Sequence, residues 1–180
     1  MLSNQAKAGF DSLLAKSLRA GLSSRSINEI EPIDTIPESE QHQALVLTIS
    51  SYVFRLMVMI HFIADDRTRE YMASTQGAAE TDTQAFLDAM AEFGNLSCGI
   101  LNRELGHYFP HLGMSTANYV EGRCMHYLAM LGSNHVQHFA VKIGGEALFH
   151  ASLCVKTYEA VHFEVNAHEE CADTGELELF

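Results

Sequence analysis

The chain has 180 residues, 47% hydrophobic and 19% charged, enough for one domain with a substantial core. Eleven basic residues against 23 acidic ones leave a net charge of -12, which argues against nucleic acid or an anionic membrane surface as partner. The four cysteines, Cys98, Cys124, Cys154 and Cys171, form no CxxC pair, and no secretory signal or long apolar span is evident, so a reduced thiol set in a cytoplasmic protein is expected.

In chain order, the first residues carry Lys7, Lys16, Arg19 and Arg25 against Asp11, a balance like that of an organellar transit peptide. Phe10, Leu13, Leu14, Leu18 and Leu22 recur at helical spacing, however, and predict an amphipathic helix packed on the domain. INEIEPIDTIP alternates apolar and polar residues around two prolines, as an edge strand or extended connection does. QALVLTIS and YVFRLMVMIHF are β-rich runs separated by a short turn and predict a hairpin. Asp65 and Asp66 open a short helix, DDRTREYMAS, that should stop near Gly77.

A long central helix follows, capped by Thr81 or Asp82 and running through TQAFLDAMAEFGNLSCGILNRELGHYF to Pro110. STANYVEG reads as a strand, and CMHYLAML is apolar without a clear period. HVQHFAVKI and EALFHASLCVKTY close the domain as a hairpin turned by Gly144-Gly145, with Phe139, Val141 and Ile143 facing the core from one strand and Ala147, Phe149, Ala151 and Leu153 from the other. From Glu164 onward there are six acids and no lysine or arginine. The expected organisation is therefore one domain over 1–163 and an acidic, mobile tail over 164–180. Hairpins with helices between them predict an α+β, two-layer fold: an antiparallel or mixed sheet packed against the long central helix and the N-terminal helix.

The stretch DAMAEFGNLSCG inside the central helix contains two glycines and an asparagine, each weaker as a helix former than alanine by up to about 1 kcal/mol. At about 100° per residue, Asp88, Glu92, Asn95, Gly99 and Asn102 share an arc of roughly 80°, whereas Phe86, Met90, Phe93, Ile100 and Leu101 fall on the far side. A solvated helix face is the ordinary outcome of such a pattern. Short side chains and a glycine in place of the usual Lys, Arg and Gln suit close approach of another surface.

Here the sequence resembles the CheC, CheX and FliY family of chemotaxis phosphatases, whose active helix bears an Asp or Ser, a Glu four residues on and an Asn three beyond, within a run like E-x-G-N-x-x-x-G. The matching residues are Asp88, Glu92 and Asn95 in EFGNLSCG, and the order of elements also looks like CheX up to about Tyr158. The family pattern places a proline 23 positions after the Asn, where this chain has Asn118. CheC-like members repeat the Glu and Asn pair on the N-terminal helix. FDSLLAKSLRAGL aligns with LDAMAEFGNLSCG, pairing Asp11 with Asp88, but the other two positions hold Ala15 and Leu18, so one site is expected, as in CheX.

The resemblance implies a phosphatase for a CheY-like response regulator phosphorylated on aspartate. In it, Asn95 would orient the attacking water and Glu92 would pair with the regulator's lysine. Asp88, Gly94, Gly99 and Asn102 would serve docking, the glycines by letting two backbones approach. Mg²⁺ would come with the regulator, the chain holding no cofactor or metal of its own, and resemblance to CheX suggests a homodimer. The alternative is a non-catalytic adaptor that binds a regulator, or a flagellar or signalling partner, through the same helix.

Ten histidines raise a metal reading, with ExxH spacings at Glu104/His107 and Glu159/His162. Glu159 and His162 follow a strand, Glu104 falls on the buried side of its helix, and His107 and His111 straddle Pro110. Structural or surface roles are therefore expected for these histidines. No Gly-rich phosphate loop or nucleophile elbow is present.

Overall fold

Alternation of apolar side chains lays down the sheet, and 3.6-residue periodicity lays the helices on it. The computed structural model describes residues 1–22, 28–39, 41–76 and 82–165. The elements are helix α1 (Asn4–Gly21), strands β1 (Asn28–Ile33), β2 (His42–Ser50) and β3 (Phe54–Ile63), and helices α2 (Asp66–Gln76) and α3 (Thr83–Gly106). Strands β4 (Gly113–Met114) and β5 (Asn118–Glu121), a 3₁₀ segment (Gly122–Leu131) and strands β6 (His135–Ile143) and β7 (Glu146–Thr157) follow.

Among the described residues the strands join one seven-stranded sheet in the order β1-β6-β7-β3-β2-β4, with β5 also on β2, and each of these strand pairs is antiparallel. The fold is thus α+β, as the hairpins predict. The expected edge strand is β1, and Pro32 can sit there because only one side of an edge strand is hydrogen-bonded within the sheet. The ambiguous CMHYLAML run lies in the 3₁₀ segment, which ends at Gly132 with φ of 58°. Gly144 and Gly145 take φ of 62° and 88° in the closing turn. The expected stop of α2 near Gly77 and the possible cap Thr81 lie outside the described residues.

One face of the sheet carries the core. Leu45, Leu47 and Ile49 of β2 stand opposite Ile60, Val58 and Leu56 of β3, which in turn face Ala151, Leu153 and Val155 of β7. All nine are essentially buried. Ala147 departs from expectation: the register shifts between Val141 and Lys142, setting Lys142 opposite Ala147, and that bulge leaves Ala147 exposed.

Helix α1 buries Phe10, Leu13, Leu14 and Leu18, so the N-terminal segment packs as the amphipathic helix its spacing predicts. Its Phe10 joins Phe54, Phe109 and Phe163 in an aromatic cluster, with centroids 4.8 Å apart for Phe10–Phe163 and Phe54–Phe109. Leu2 bridges to Val161, and Val165 packs on the core. Residues 166–180, most of the expected acidic tail, lie outside the described residues.

Helix α3 rests on β2 through Gly94. A Cβ at Gly94 would stand 2.2 Å from Leu45 Cδ2 and 3.2 Å from Leu47 Cδ1. A Cβ at Gly99 would meet nothing within 4 Å. Gly94 therefore faces the sheet and not a partner, which corrects its expected docking role: at about 240° around the helix from Asp88 it falls between buried Leu101 and Leu105.

The opposite sheet face is rich in histidine. His61 Nε2 and His138 Nδ1 both bond the Ser152 hydroxyl, at 2.8 and 2.7 Å, and the His42 and His150 rings are 6.4 Å apart. Burial lowers the pKa of all four. For His61 burial, with added repulsion from His150, His42 and His138, brings it down to about 3. Cys98 and Cys154 are buried with their thiols pushed up to about 12 and 11, mainly by burial, which removes thiolate reactivity.

Two outcomes follow from this packing. His61 is neutral when folded, while its unfolded form takes up a proton near pH 6.5; stability is therefore complete above pH 6.5 and falls as pH drops, by about 1.4 kcal/mol per unit for this one group. Urea unfolding between pH 7.5 and 4.5 should show at least that slope, and His61→Gln should reduce it by about that amount. The second concerns the glycines: Gly94→Val should cost about 2 kcal/mol through overpacking against Leu45, whereas Gly99→Ala should add up to about 1 kcal/mol by improving helix propensity. Thermal unfolding of the two variants separates these signs.

Candidate functional site

The site is built on α3 and the segment that crosses it. The helix starts where Asp82, with extended backbone, accepts a hydrogen bond from Ala85 N–H at 2.7 Å. It ends where Tyr108 and Phe109 N–H bond the Leu105 carbonyl before Pro110. Over its 24 residues it buries Phe86, Ala89, Met90, Phe93, Gly94, Ser97, Cys98, Leu101 and Leu105. That buried stripe leaves Asp88 and Glu92 exposed and Asn95 and Gly99 half-exposed, all on one face, together with Leu96 at 51% exposure. Of the residues expected to share the arc, Asp88, Glu92, Asn95 and Gly99 do so.

Asn102 does not. It is half-buried, and its side-chain oxygen is shielded from solvent with no hydrogen-bond partner among the described residues. This corrects its assignment to docking: it sits on the shoulder of the arc next to the buried Cys98 and Leu105.

Each remaining polar group has local support. Gln84 donates its amide to Asp88 Oδ1 at 2.8 Å, one turn earlier on the helix. The carboxamide of Asn95 is fixed by Ala117, whose backbone N–H donates to Asn95 Oδ1 at 3.2 Å. A backbone N–H can only donate, so it must meet the oxygen; Nδ2 with its two hydrogens is turned away. One lone pair of Oδ1 is thereby engaged, and one lone pair and two donors remain for a ligand.

Tyr119 completes the surroundings, and sequence reasoning missed it. Paired with Leu45 across the sheet, it faces the helix layer and donates its hydroxyl to the Leu87 carbonyl of α3. Its phenol is pushed up to about 12, first by burial and then by the Asp88 charge, with a backbone hydrogen bond from Ala91 acting the other way. STANYVEG reveals a strand, but nothing in it says which helix its aromatic residue touches.

The alternative constellations fall elsewhere. Glu104 pairs with Lys16 of α1 at 2.9 Å, and His162 bonds Ser3 at 3.0 Å. Among the described residues no three His, Cys, Asp or Glu side chains converge in a metal-holding arrangement. At the position in α1 equivalent to Asp88, Asp11 accepts a hydrogen bond from or pairs with His135 at 2.7 Å, and Leu18 is fully buried where a second Asn would stand. A cleft of about 1230 Å³ is lined by His42, His138, Ile36, Glu121, Arg123 and Leu128 and opens on the histidine side of the sheet, away from α3. Asp88, Glu92 and Asn95 do not line that cleft. Among the described residues no helix is long and apolar enough to cross a membrane.

No family model matches the chain, and no curated protein sequence does either. Solved structures do. CheX from Vibrio vulnificus is similar at 18% identity with a TM-score of 0.58, covering 86% of this chain and 100% of that one. A chain of the CheX–CheY–BeF₃–Mg²⁺ complex from Borrelia burgdorferi is 16% identical with a TM-score of 0.57, over 83% of this chain and 96% of that one. A CheC-like superfamily protein from Shewanella sp. PV-4 is 14% identical with a TM-score of 0.54, over 86% and 99%. The seven-stranded antiparallel sheet carrying α1 and the EFGNLSCG helix side by side is thus the fold of the CheX and CheC-like chemotaxis proteins.

Proposed function

We propose that this protein is a phosphatase for a CheY-like response regulator, inserting the Asp88–Glu92–Asn95 face of α3 into the regulator's phosphorylated site. The observation that carries the reading is the Asn95 carboxamide, half-exposed beside an exposed Glu92 and oriented by Ala117 before any partner arrives. Similarity to a chain from a CheX–CheY complex supports the class of partner.

The regulator brings the aspartyl phosphate, a Mg²⁺ ion and a lysine. Hydrolysis needs a water aligned with phosphorus, and little other covalent chemistry, so positioning supplies most of the rate. Water donating to the second lone pair of Asn95 Oδ1 keeps its own lone pair free for attack, while Nδ2 can donate to a transferring oxygen. Glu92 pairs with the regulator's lysine and sets the register of the two proteins. Asp88, held by Gln84, lies at the edge of the contact, and Gly99, with open space above it, permits close approach.

The decisive measurement is the decay of aspartyl phosphate on CheY-like regulators of the same cell, with and without this protein. Asn95→Ala should return the decay to its unassisted rate with little loss of binding. Asn95→Asp keeps an acceptor for Ala117 but has no donor, and should fold normally and be equally inactive. Glu92→Lys should weaken the complex by about tenfold or more, because it sets two cations together. Binding without acceleration by the unaltered protein would replace the phosphatase with an adaptor, and full activity in all three variants would remove the site assignment.

A further inference from the structure

Residues 115–118 pass from β4 to β5 directly beside Asn95, and they are held at several points. Ser115 N–H donates to the Thr48 carbonyl at 2.9 Å, and Thr48 N–H donates back to Ser115 Oγ at 3.0 Å, which fixes the start of the segment to β2. The Thr116 carbonyl then receives two donors, the Ser115 hydroxyl at 3.0 Å and the Asn118 side-chain amide at 3.1 Å. Tyr119, immediately after, is tied to the Leu87 carbonyl.

The Thr116 carbonyl and the Ala117 N–H belong to the same peptide group. In a trans peptide the two point in opposite directions across a rigid plane. Whatever fixes the carbonyl on one side therefore aims the N–H on the other, and that N–H is the one that meets Asn95 Oδ1 at 3.2 Å. Donation to the carbonyl also polarises the N–H and strengthens its bond to Asn95.

We infer that Asn118 is a positioning residue of the site: acting through the Thr116–Ala117 peptide, it holds the Asn95 carboxamide with Oδ1 pinned and Nδ2 presented outward. The inference rests on the phosphatase reading for its catalytic consequence, but the clamp itself is a property of the free protein. It also gives a physical role to the residue at which this chain departs from the family pattern. A proline there would stiffen the segment by fixing its own φ and biasing residue 117 to extended backbone. Asn118 reaches the same end with a hydrogen bond to the carbonyl two residues back.

The test uses the full chain, in which Asn118 is exposed on an edge strand, so that substitution leaves the core intact. Hydrogen exchange of the Ala117 amide is followed by NMR, and kcat and KM are measured on CheY-like regulators phosphorylated with phosphoramidate. Asn118→Ala should speed Ala117 exchange by about fivefold, the worth of one net hydrogen bond, and lower kcat by about the same factor while KM for the regulator stays unchanged. Asn118→Pro should restore both. Unchanged Ala117 exchange in Asn118→Ala would overturn the clamp, and faster exchange with unaltered kcat would overturn the positioning role. Failure of the phosphatase reading looks different: the unaltered protein leaves the regulator's decay unchanged, while Ala117 exchange still responds to Asn118→Ala and so supports the clamp.

Discussion

The rotation of α3 on the sheet is the constraint on which the site depends, and Gly94 sets it. With no side chain at that position, Leu45 and Leu47 of β2 reach the helix itself, and the apolar side chains on either side of Gly94 complete the contact. A helix whose buried stripe runs from about 100° at Ala89 to about 280° at Cys98 must present the region around 0° to 40° on its far side. That region holds Asp88, Glu92 and Gly99, with Asn95 at its edge. The same stretch that weakens the helix by propensity thus serves two purposes: Gly94 secures the packing, and Gly99 leaves bare backbone on the exposed face.

The exposed face is supported from two directions. Along the helix, Gln84 holds Asp88. Across it, the segment leading into β5 delivers Ala117 N–H to Asn95 and the Tyr119 hydroxyl to Leu87. Because β5 is itself paired to β2, the helix that rests on β2 and the segment that orients its asparagine share one rigid base. A carboxamide oriented in advance loses less rotational freedom when a partner binds.

The two faces of the sheet are chemically different. The helix side is hydrocarbon and aromatic, with Phe10, Phe54, Phe109 and Phe163 joining α1, β3, the end of α3 and the C-terminal segment in one cluster. The other side places His42, His61, His138 and His150 around Ser152. The cost of burying charge lowers the pKa of all four, with repulsion between neighbouring histidines added at His61 and His150, and this favours the fold at pH above the ordinary imidazole range.

Local pattern decided much of this protein. Period-2 alternation located β2, β3, β6 and β7, the glycine pair located their last turn, and 3.6-residue periodicity separated the buried stripe of α3 from the arc bearing Asp88, Glu92 and Asn95. These properties repeat within a few residues, so they are legible in the chain itself. The docking role of Gly94 came with the resemblance, whereas its own angle already sets it on the buried side, where the sheet reaches it; for Asn102 an angle around a helix does not say how wide the neighbouring surface is, and the interior closes over its oxygen. Ala147 was misplaced because a bulge shifts register without leaving a mark in composition. The contacts of Ala117 with Asn95 and of Tyr119 with Leu87 join residues 22 and 32 positions apart. The sequence alone determined which side chains α3 carries and which of them share a face; only the tertiary structure decided what orients them, because that depends on which distant segment the antiparallel sheet brings alongside.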